Sequence, residues 1–569
     1  MRKILRTLKK SFLRNSSEIN PEDIFLDSTN LPGLNLGRLE GMIERPIGGK
    51  TFLFVRVVLS LILIFLGAEL WVLQVSKGEV YALVSEENRL GRTAIFADRG
   101  IIFDRNNLPL VMNEIKPDEN DFAARKYPNI EGLGAVVGYV KYPSMDSLGR
   151  YYDELFHGQA GVEKMYDSLL SGSNGSKLTE TNALGEITSE SIIDSPQKGE
   201  DIHLSIDAKL TEKLYQTIRS TSKDRGFTGG AGVIMDVETG EVLALTSYPS
   251  YDQNVVTEGK DSFEILRLLN DKSTPFLNRA VSGLYTPGSI VKPIVALGAL
   301  NEGVISPTKQ ILSTGQLSLP NPFDPKNPSI FRDWRAHGWV DMIDALAVSS
   351  DVYFYEIGGG FGNQKGLGIT NLDKYFSLFG MNEKTNIDLP GEEEGYIATP
   401  SWKERNFPDD PIWRVGDTYH TSIGQYGTQV TPVEAVRWVA AIANGGKLIT
   451  PRVLFGGGGN KPRVDRRVGL DNNFFVIVRK GMREGVTRGV ATGLSVSAVK
   501  VAAKTGTAEL GARKEFVNSW ITGFFPYDIP KYAFVVIMER GPATNTTGGV
   551  FVMRQVLDWM AQNTPEYLK

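Results

Sequence analysis

The chain has 569 residues, enough for two or three domains and a large core. Its 62 Lys and Arg nearly balance 66 Asp and Glu, leaving a formal net charge of −4 and no long basic stripe, which argues against a nucleic-acid partner. The absence of cysteine excludes disulfides and thiol catalysis.

Residues 1–50 are polar, with Pro21, Pro32 and Gly33, and read as a mostly disordered tail. Arg2, Lys3, Arg6, Lys9, Lys10 and Arg14 precede an apolar segment over residues 51–75 that centres on Val57–Leu66. Its length suits one tilted crossing of a bilayer, which needs about 20 residues, and Arg56 and Glu69 lie near enough to its ends to snorkel. Positive-inside logic places the N-terminus in the cytoplasm and everything after Val75 outside. No small-residue cleavage site follows, so the segment is expected to be a retained anchor with Trp71 at the outer interface. Gly49-Lys50-Thr51 imitates the end of a phosphate-binding loop, but Glu44 occupies the position of its first glycine.

Residues 77–200 mix short β-like runs (Thr93–Phe96, Gly100–Phe103) with a helix near Glu163–Leu170, and read as a pedestal domain. Residues 201–569 read as one catalytic unit. Asp201–Asp207 alternates like a strand, and Ala208–Arg219 reads as an amphipathic helix. Ala231–Val237 and Glu241–Ser247 predict a hairpin about Thr239-Gly240. Lys500–Thr507, Ser519–Phe525 and Tyr532–Met538 should complete an antiparallel sheet, with Phe551–Met560 as a closing helix. The expected fold class is therefore α+β, a sheet with helices on both faces behind one membrane helix and a mixed pedestal.

Three short motifs carry the chemistry: Ser289-Ile-Val-Lys292, Ser349-Ser350-Asp351 and Lys504-Thr505-Gly506-Thr507. In this order they spell the S-x-x-K, S-x-[DN] and K-T-G set of enzymes that attack amides with a lysine-activated serine. Ser289 follows Thr286-Pro287-Gly288 and precedes an apolar run, a tight turn opening a buried helix with Pro293 in its tolerated first turn. Residues three apart share a helix face, so Lys292 should lie beside the Ser289 hydroxyl and take its proton once burial or a nearby cation makes it neutral. Lys504 is the expected cation, Ser349 the expected proton relay, and Asp351 completes the catalytic set. Lys504, Thr505, Gly506 and Thr507 should line the cleft on an edge strand that pairs with an extended peptide and holds its carboxylate. The backbone N–H groups of Ser289 and Thr507 are the expected oxyanion hole. Four histidines (His157, His203, His337, His420) offer no metal-ligand spacing, so neither a metal nor a cofactor is expected.

Taken together, the chain resembles a class B penicillin-binding protein, most closely the elongation type called penicillin-binding protein 2. Beyond the three motifs, the resemblance rests on Arg99-Gly-Ile-Ile-Phe-Asp-Arg105, Gly161-Val-Glu-Lys-Met-Tyr-Asp167, Asp333-Trp334 with His337-Gly338, Gly416-Asp-Thr418, Ser422-Ile-Gly-Gln425, Thr431-Pro432 and Trp520–Pro526. It implies a serine D,D-transpeptidase that cross-links peptidoglycan stem peptides ending in D-Ala-D-Ala and is inhibited by β-lactams. It also implies a bacterial cell (inner) membrane location and a membrane partner of the SEDS glycosyltransferase family, since no polymerase-sized region precedes the pedestal. The septal type favours asparagine where Asp351 stands; the anchored pedestal speaks against a D,D-carboxypeptidase, and a β-lactam-binding sensor should carry a cytoplasmic signalling domain or several spans, for which a 50-residue tail is too small. The chain departs from the family pattern at Asn107, which replaces a glycine, in a short stretch from Arg105 to Gly161 that trims the head, and at Tyr426. Some relatives carry a zinc-ligating cysteine where Ser350 stands.

Overall fold

The computed structural model describes residues 49–79, 90–116, 121–147, 149–181, 187–321, 324, 326–456 and 463–569. Of the tail expected over residues 1–50, residues 1–48 lie outside them, and Gly49 and Lys50 belong to the first helix. The chain divides into two compact units, residues 1–89 and 90–569. In the first, α1 (Gly49–Trp71) runs through one wider π turn to Ser76, 28 residues in all, or about 42 Å at 1.5 Å per residue. No residue of α1 is buried by protein, and a helix apolar on every side suits hydrocarbon rather than water.

The second unit opens with the pedestal. The strands of its two larger sheets are β1 (Leu90–Ile95), β2 (Ile102–Phe103), β3 (Pro109–Glu114), β4 (Ala124–Lys126), β5 (Gly175–Thr181), β6 (Ile187–Asp194) and β7 (Ile202–His203). They form one sheet of order β1-β5-β6 and another of order β7-β2-β3-β4. The two family-like segments of the pedestal prove to be halves of one buried ion network. Arg99 Nε donates to Glu163 Oε2 at 2.7 Å, and Arg125 Nε donates to Glu163 Oε1 at 2.8 Å. Breaking such a buried pair costs about 3–5 kcal/mol, so Glu163, on the short helix α2 (Gly161–Met165), locks the pedestal's sheet to its helical side. Asp104 builds the following turn, accepting from Asn106 N at 2.7 Å and Leu108 N at 2.8 Å. Asn107 between them has φ 62°, the left-handed conformation a glycine would take and Asn tolerates.

The catalytic region comprises α3 (Ala208–Arg225), β8 (Gly229–Asp236), β9 (Val242–Tyr248), α4 (Lys292–Asn301), α5 (Met342–Val348), α6 (Asp351–Gly359), α7 (Pro432–Ala443), α8 (Asn472–Thr487), β10 (Ala502–Leu510), β11 (Phe516–Phe525), β12 (Tyr532–Pro542) and α9 (Gly549–Asn563). These five strands form the region's main sheet, antiparallel and of order β9-β8-β12-β11-β10, with β10 at one edge. Alternation sorts its two faces: Val233, Val535 and Ile537 join the core that holds α4 and α7, whereas Ile234, Phe534 and Val536 join the core of α3 and α9. The Thr239-Gly240 turn is present, with φ 75° at Gly240.

The strand expected over Asp201–Asp207 is limited to β7, which pairs in parallel with β2 of the pedestal. The remainder bridges to the catalytic region instead. Ser205 N donates to Val453 O at 2.7 Å, and the Asp207 side chain caps α3 by accepting from Leu210 N at 3.0 Å.

Candidate active site

The serine turn is held from three sides. Trp520 Nε1 donates to Thr286 O at 3.0 Å, fixing the turn on β11. Gly288 N donates to Gly424 O at 2.8 Å. Gly288 has φ 57°, and a Cβ there would lie 2.9 Å from Thr507 O, so both conformation and space demand glycine. A 3-10 turn over Gly288–Val291 then leads into α4, with Pro293 in its first turn and Ile294–Leu300 all buried. Ser289 is part-exposed, and among the described residues its hydroxyl has no hydrogen-bond partner. Lys292 is wholly buried.

From the opposite wall, α5 ends with Ser349 in the left-handed conformation (φ 58°, ψ 41°), and Ser350 starts α6 by accepting from Tyr353 N at 3.4 Å. This turn delivers Ser349 and Asp351 to the lysines. Lys292 Nζ donates to Asp351 Oδ1 at 2.6 Å, Ser349 O at 2.9 Å and Ser349 Oγ at 3.3 Å, with the Phe354 ring 5.2 Å below it. Lys504 Nζ, from β10, donates to the same Ser349 Oγ at 2.7 Å and to Thr505 O at 2.9 Å. Ser349 Oγ thus joins the two lysines.

Four of the five catalytic residues expected from the sequence, Lys292, Ser349, Asp351 and Lys504, are joined by these contacts, and Ser289 stands on the turn that leads into Lys292, but the lysines differ from expectation. Lys292 turns to Asp351 rather than to the Ser289 hydroxyl, because a carboxylate is a stronger partner for an ammonium than a hydroxyl. Lys504 is the lysine that is disfavoured as a cation. Burial, followed by the charge of Lys292, holds its pKa well below the usual lysine range, against the opposing pull of Asp351. A site with one carboxylate and two buried lysines is neutral when one lysine gives up its proton.

Thr505, Gly506 and Thr507 lie on edge strand β10. The missing side chain of Gly506 lets the strand reach the serine turn, since a Cβ there would come within 2.8 Å of Pro287 O. Gln425 Nε2 donates to Thr507 O from outside the sheet at 3.3 Å. A strand residue's N–H and C=O point to the same side, so the Thr507 N–H also faces the cleft, beside the Ser289 turn. Tyr426, in place of a glycine, has φ 66°. Its ring is wedged among Trp402, Phe407 and Trp413 at centroid distances of 5.7, 6.2 and 5.8 Å, contacts that offset the backbone strain.

Behind the Ser349–Asp351 turn lies a cluster that the motifs did not announce as a unit. Asp333 Oδ2 accepts from Ser350 Oγ at 2.9 Å and Ser313 Oγ at 3.2 Å, and His337 Nε2 stands 3.4 Å from Asp333 Oδ1. Zinc takes thiolate, imidazole and carboxylate ligands. Here two of the four side chains are neutral hydroxyls already donating to Asp333, so this set does not fit the ion. Ser313 carried no signal in the sequence, standing after Ile311-Leu312 in a stretch with no motif.

Two family models match the chain: the penicillin binding protein transpeptidase domain over residues 230–556 and the penicillin-binding protein dimerisation domain over residues 120–204. The peptidoglycan D,D-transpeptidase MrdA of Escherichia coli K12 is 30% identical over 86% of this chain and 90% of its own length. Pseudomonas aeruginosa PBP2, solved in complex with WCK 5153, is 30% identical, with a TM-score of 0.69 over 84% of this chain and 100% of its own. A chain from a peptidoglycan synthase complex, described as coordinating polymerization and crosslinking, is 27% identical, with a TM-score of 0.69 over 91% of this chain and 100% of its own.

Proposed function

The chain belongs to the penicillin-binding protein transpeptidase family, and from that premise we propose that it is an elongation-type peptidoglycan D,D-transpeptidase acting through Ser289. The observation that carries the reading is the convergence of Lys292, Ser349, Asp351 and Lys504 behind a part-exposed serine beside an open strand edge.

Ser349 Oγ gives the proton of Lys292 a path to the neutral Lys504. Lys292, now neutral, takes the proton of Ser289 as Oγ bonds to the penultimate D-Ala carbonyl carbon. The Ser289 and Thr507 N–H groups hold the oxyanion. The C–N bond to the terminal D-Ala then breaks, and the leaving amine receives a proton through Ser349. An amine of a second stem peptide attacks the ester, the Ser289 C–O bond breaks, and the serine regains its proton. Thr505 and Thr507 hydroxyls, with Lys504 behind them, hold the stem's terminal carboxylate. A β-lactam acylates Ser289 in the same way, but its tethered leaving group stays in the site.

The unit assignment we propose is a tail to residue 50, an anchor over 51–75, a pedestal over 77–200 and a transpeptidase domain over 201–569. The anchor crosses the inner membrane with the tail in the cytoplasm, on the strength of the six cations among residues 1–15. Protease added to intact spheroplasts is expected to digest the chain after Val75 and spare the tail; the opposite pattern would refute both the orientation and the cell-wall role.

Glycan strands come from a membrane partner of the SEDS glycosyltransferase family. A relative's presence in a synthase complex supports this, as does the uncovered apolar surface of α1. Reconstituted with lipid-linked precursor, the chain alone should yield no polymer, and with a SEDS partner it should yield cross-linked glycan. Polymer made by the chain alone would overturn the partnership; polymer without cross-links would overturn the transpeptidase.

A further inference from the structure

We propose that Asp333 is a positioning residue for the reaction, clamping the Ser349–Asp351 turn from behind through hydrogen bonds with Ser313, Ser350 and Val352 that need no metal ion. The proposal rests on the acyl-transfer reading above. Asp333 belongs to none of the three motifs; it lies in the loop between the strands Ser329–Arg332 and Gly338–Val340. Its side chain is 0% exposed. Besides the two serine hydroxyls, Oδ2 accepts from Val352 N at 3.1 Å. Ser350 and Val352 flank Asp351, so one carboxylate grips the residue on each side of the one that holds Lys292. The other oxygen, Oδ1, accepts from Trp334 N at 2.8 Å and so ties Asp333 into its own loop. Trp334 Nε1 in turn donates to Val348 O at 3.2 Å, the residue before Ser349.

The turn requires such a clamp. Ser349 is a non-glycine residue with positive φ, a conformation that persists only where its surroundings over-determine it. The work of Ser349 depends on placement, because its Oγ must serve Lys292 and Lys504 at once. His337 closes the cluster. Arg335 Nε donates to its Nδ1 at 3.4 Å, which leaves the N–H on Nε2, buried and without a hydrogen-bond partner, 3.4 Å from Asp333 Oδ1. The cluster therefore keeps the imidazole and carboxylate of a metal set, while hydroxyl donors occupy the rest and satisfy the carboxylate directly.

The test uses the full-length chain in detergent micelles and a fluorescent penicillin, with stopped-flow separation of initial binding from the first-order acylation step. Asp333→Ala is expected to slow acylation by about a hundredfold, the scale of a displacement of about 1 Å, while initial binding changes less than about threefold. Asp333→Asn keeps one acceptor oxygen for Ser350 and Val352 and should recover to about a tenth of the native rate. Should Asp333→Ala fail to fold, Ser350→Ala, which removes one donor to Oδ2, should show the same split at about tenfold. A zinc chelator should leave native acylation unchanged. Native rates in the Asp333 variants, equal losses in both constants, or a chelator-sensitive native rate that zinc restores would each overturn the clamp. A native chain that is not acylated at all would instead overturn the functional reading.

Discussion

Ser289→Ala is expected to abolish covalent labelling by a fluorescent penicillin, with no other residue labelled and with the thermal midpoint shifted by no more than a degree or so. The expectation of total loss follows from the site's division of labour. Among the described residues, Ser289 is the hydroxyl that stands part-exposed on the first turn of a buried helix with an edge strand alongside. Ser349, the other serine of the cluster, is 7% exposed, and its Oγ is already engaged by Lys504 at 2.7 Å, so it cannot substitute as nucleophile. The expectation of an intact fold has a separate basis. The Ser289 hydroxyl makes no hydrogen bond among the described residues, so its removal strands no buried partner, and surface-like changes of this kind fall within about 0.5 kcal/mol. The turn itself is held by Gly288, Gly424 and Trp520, all untouched. Intact-protein mass spectrometry after incubation with penicillin measures both outcomes at once. An adduct on the alanine variant would assign the nucleophile elsewhere.

The parts of this molecule that were legible in its sequence are those written in local pattern. The sheet could be read because residues such as Val233 and Ile234 alternate between two separate cores, which makes the strands runs of branched apolar residues. Pro287-Gly288 announced a turn, and the glycine is indeed required there by a positive φ and by Thr507 O. Asn107 stands where the family pattern has a glycine, and its φ of 62° is one that Asn tolerates. The illegible parts are those decided by tertiary contacts. No spacing rule says that Lys292 will turn to Asp351, because the approach of α6 to α4 is set by packing across the core. Asp201–Asp207 alternates, yet only two residues find a strand to pair with, since the next ones reach across to Val453. The aromatic nest that lets Tyr426 occupy a glycine's conformation draws on residues up to 24 positions away, from Trp402 onward. Ser313 and Asp333 meet Ser350 only because the end of the strand Ile311–Ser313 and the loop that holds Asp333 converge on the start of α6.

Lys292→Ala should lower the acylation rate by about four orders of magnitude, close to the effect of removing the nucleophile, because base and nucleophile act as a unit. At about 1.36 kcal/mol per decade this is a loss of about 5.5 kcal/mol in transition-state stabilisation. A smaller effect would be expected if Lys504 could serve directly. Its Nζ, however, is committed to Ser349 Oγ and Thr505 O. The pH dependence distinguishes the two lysines. Acylation in the native chain needs one vacant proton site along Lys292, Ser349 and Lys504, and burial places that vacancy on Lys504. As pH falls through the depressed value of Lys504, that lysine becomes charged, Lys292 can no longer pass on its proton, and the rate falls. The rising limb of the native profile should therefore lie well below the ordinary lysine range. Lys504→Arg, a permanent cation, should remove that limb and leave a uniformly slow enzyme. In Lys292→Ala, by contrast, the fold should survive, since the freed Asp351 carboxylate is 19% exposed and water can hydrate it. Acylation by Lys292→Ala within tenfold of the native rate, with the same pH profile, would show that the proton of Ser289 leaves by another route.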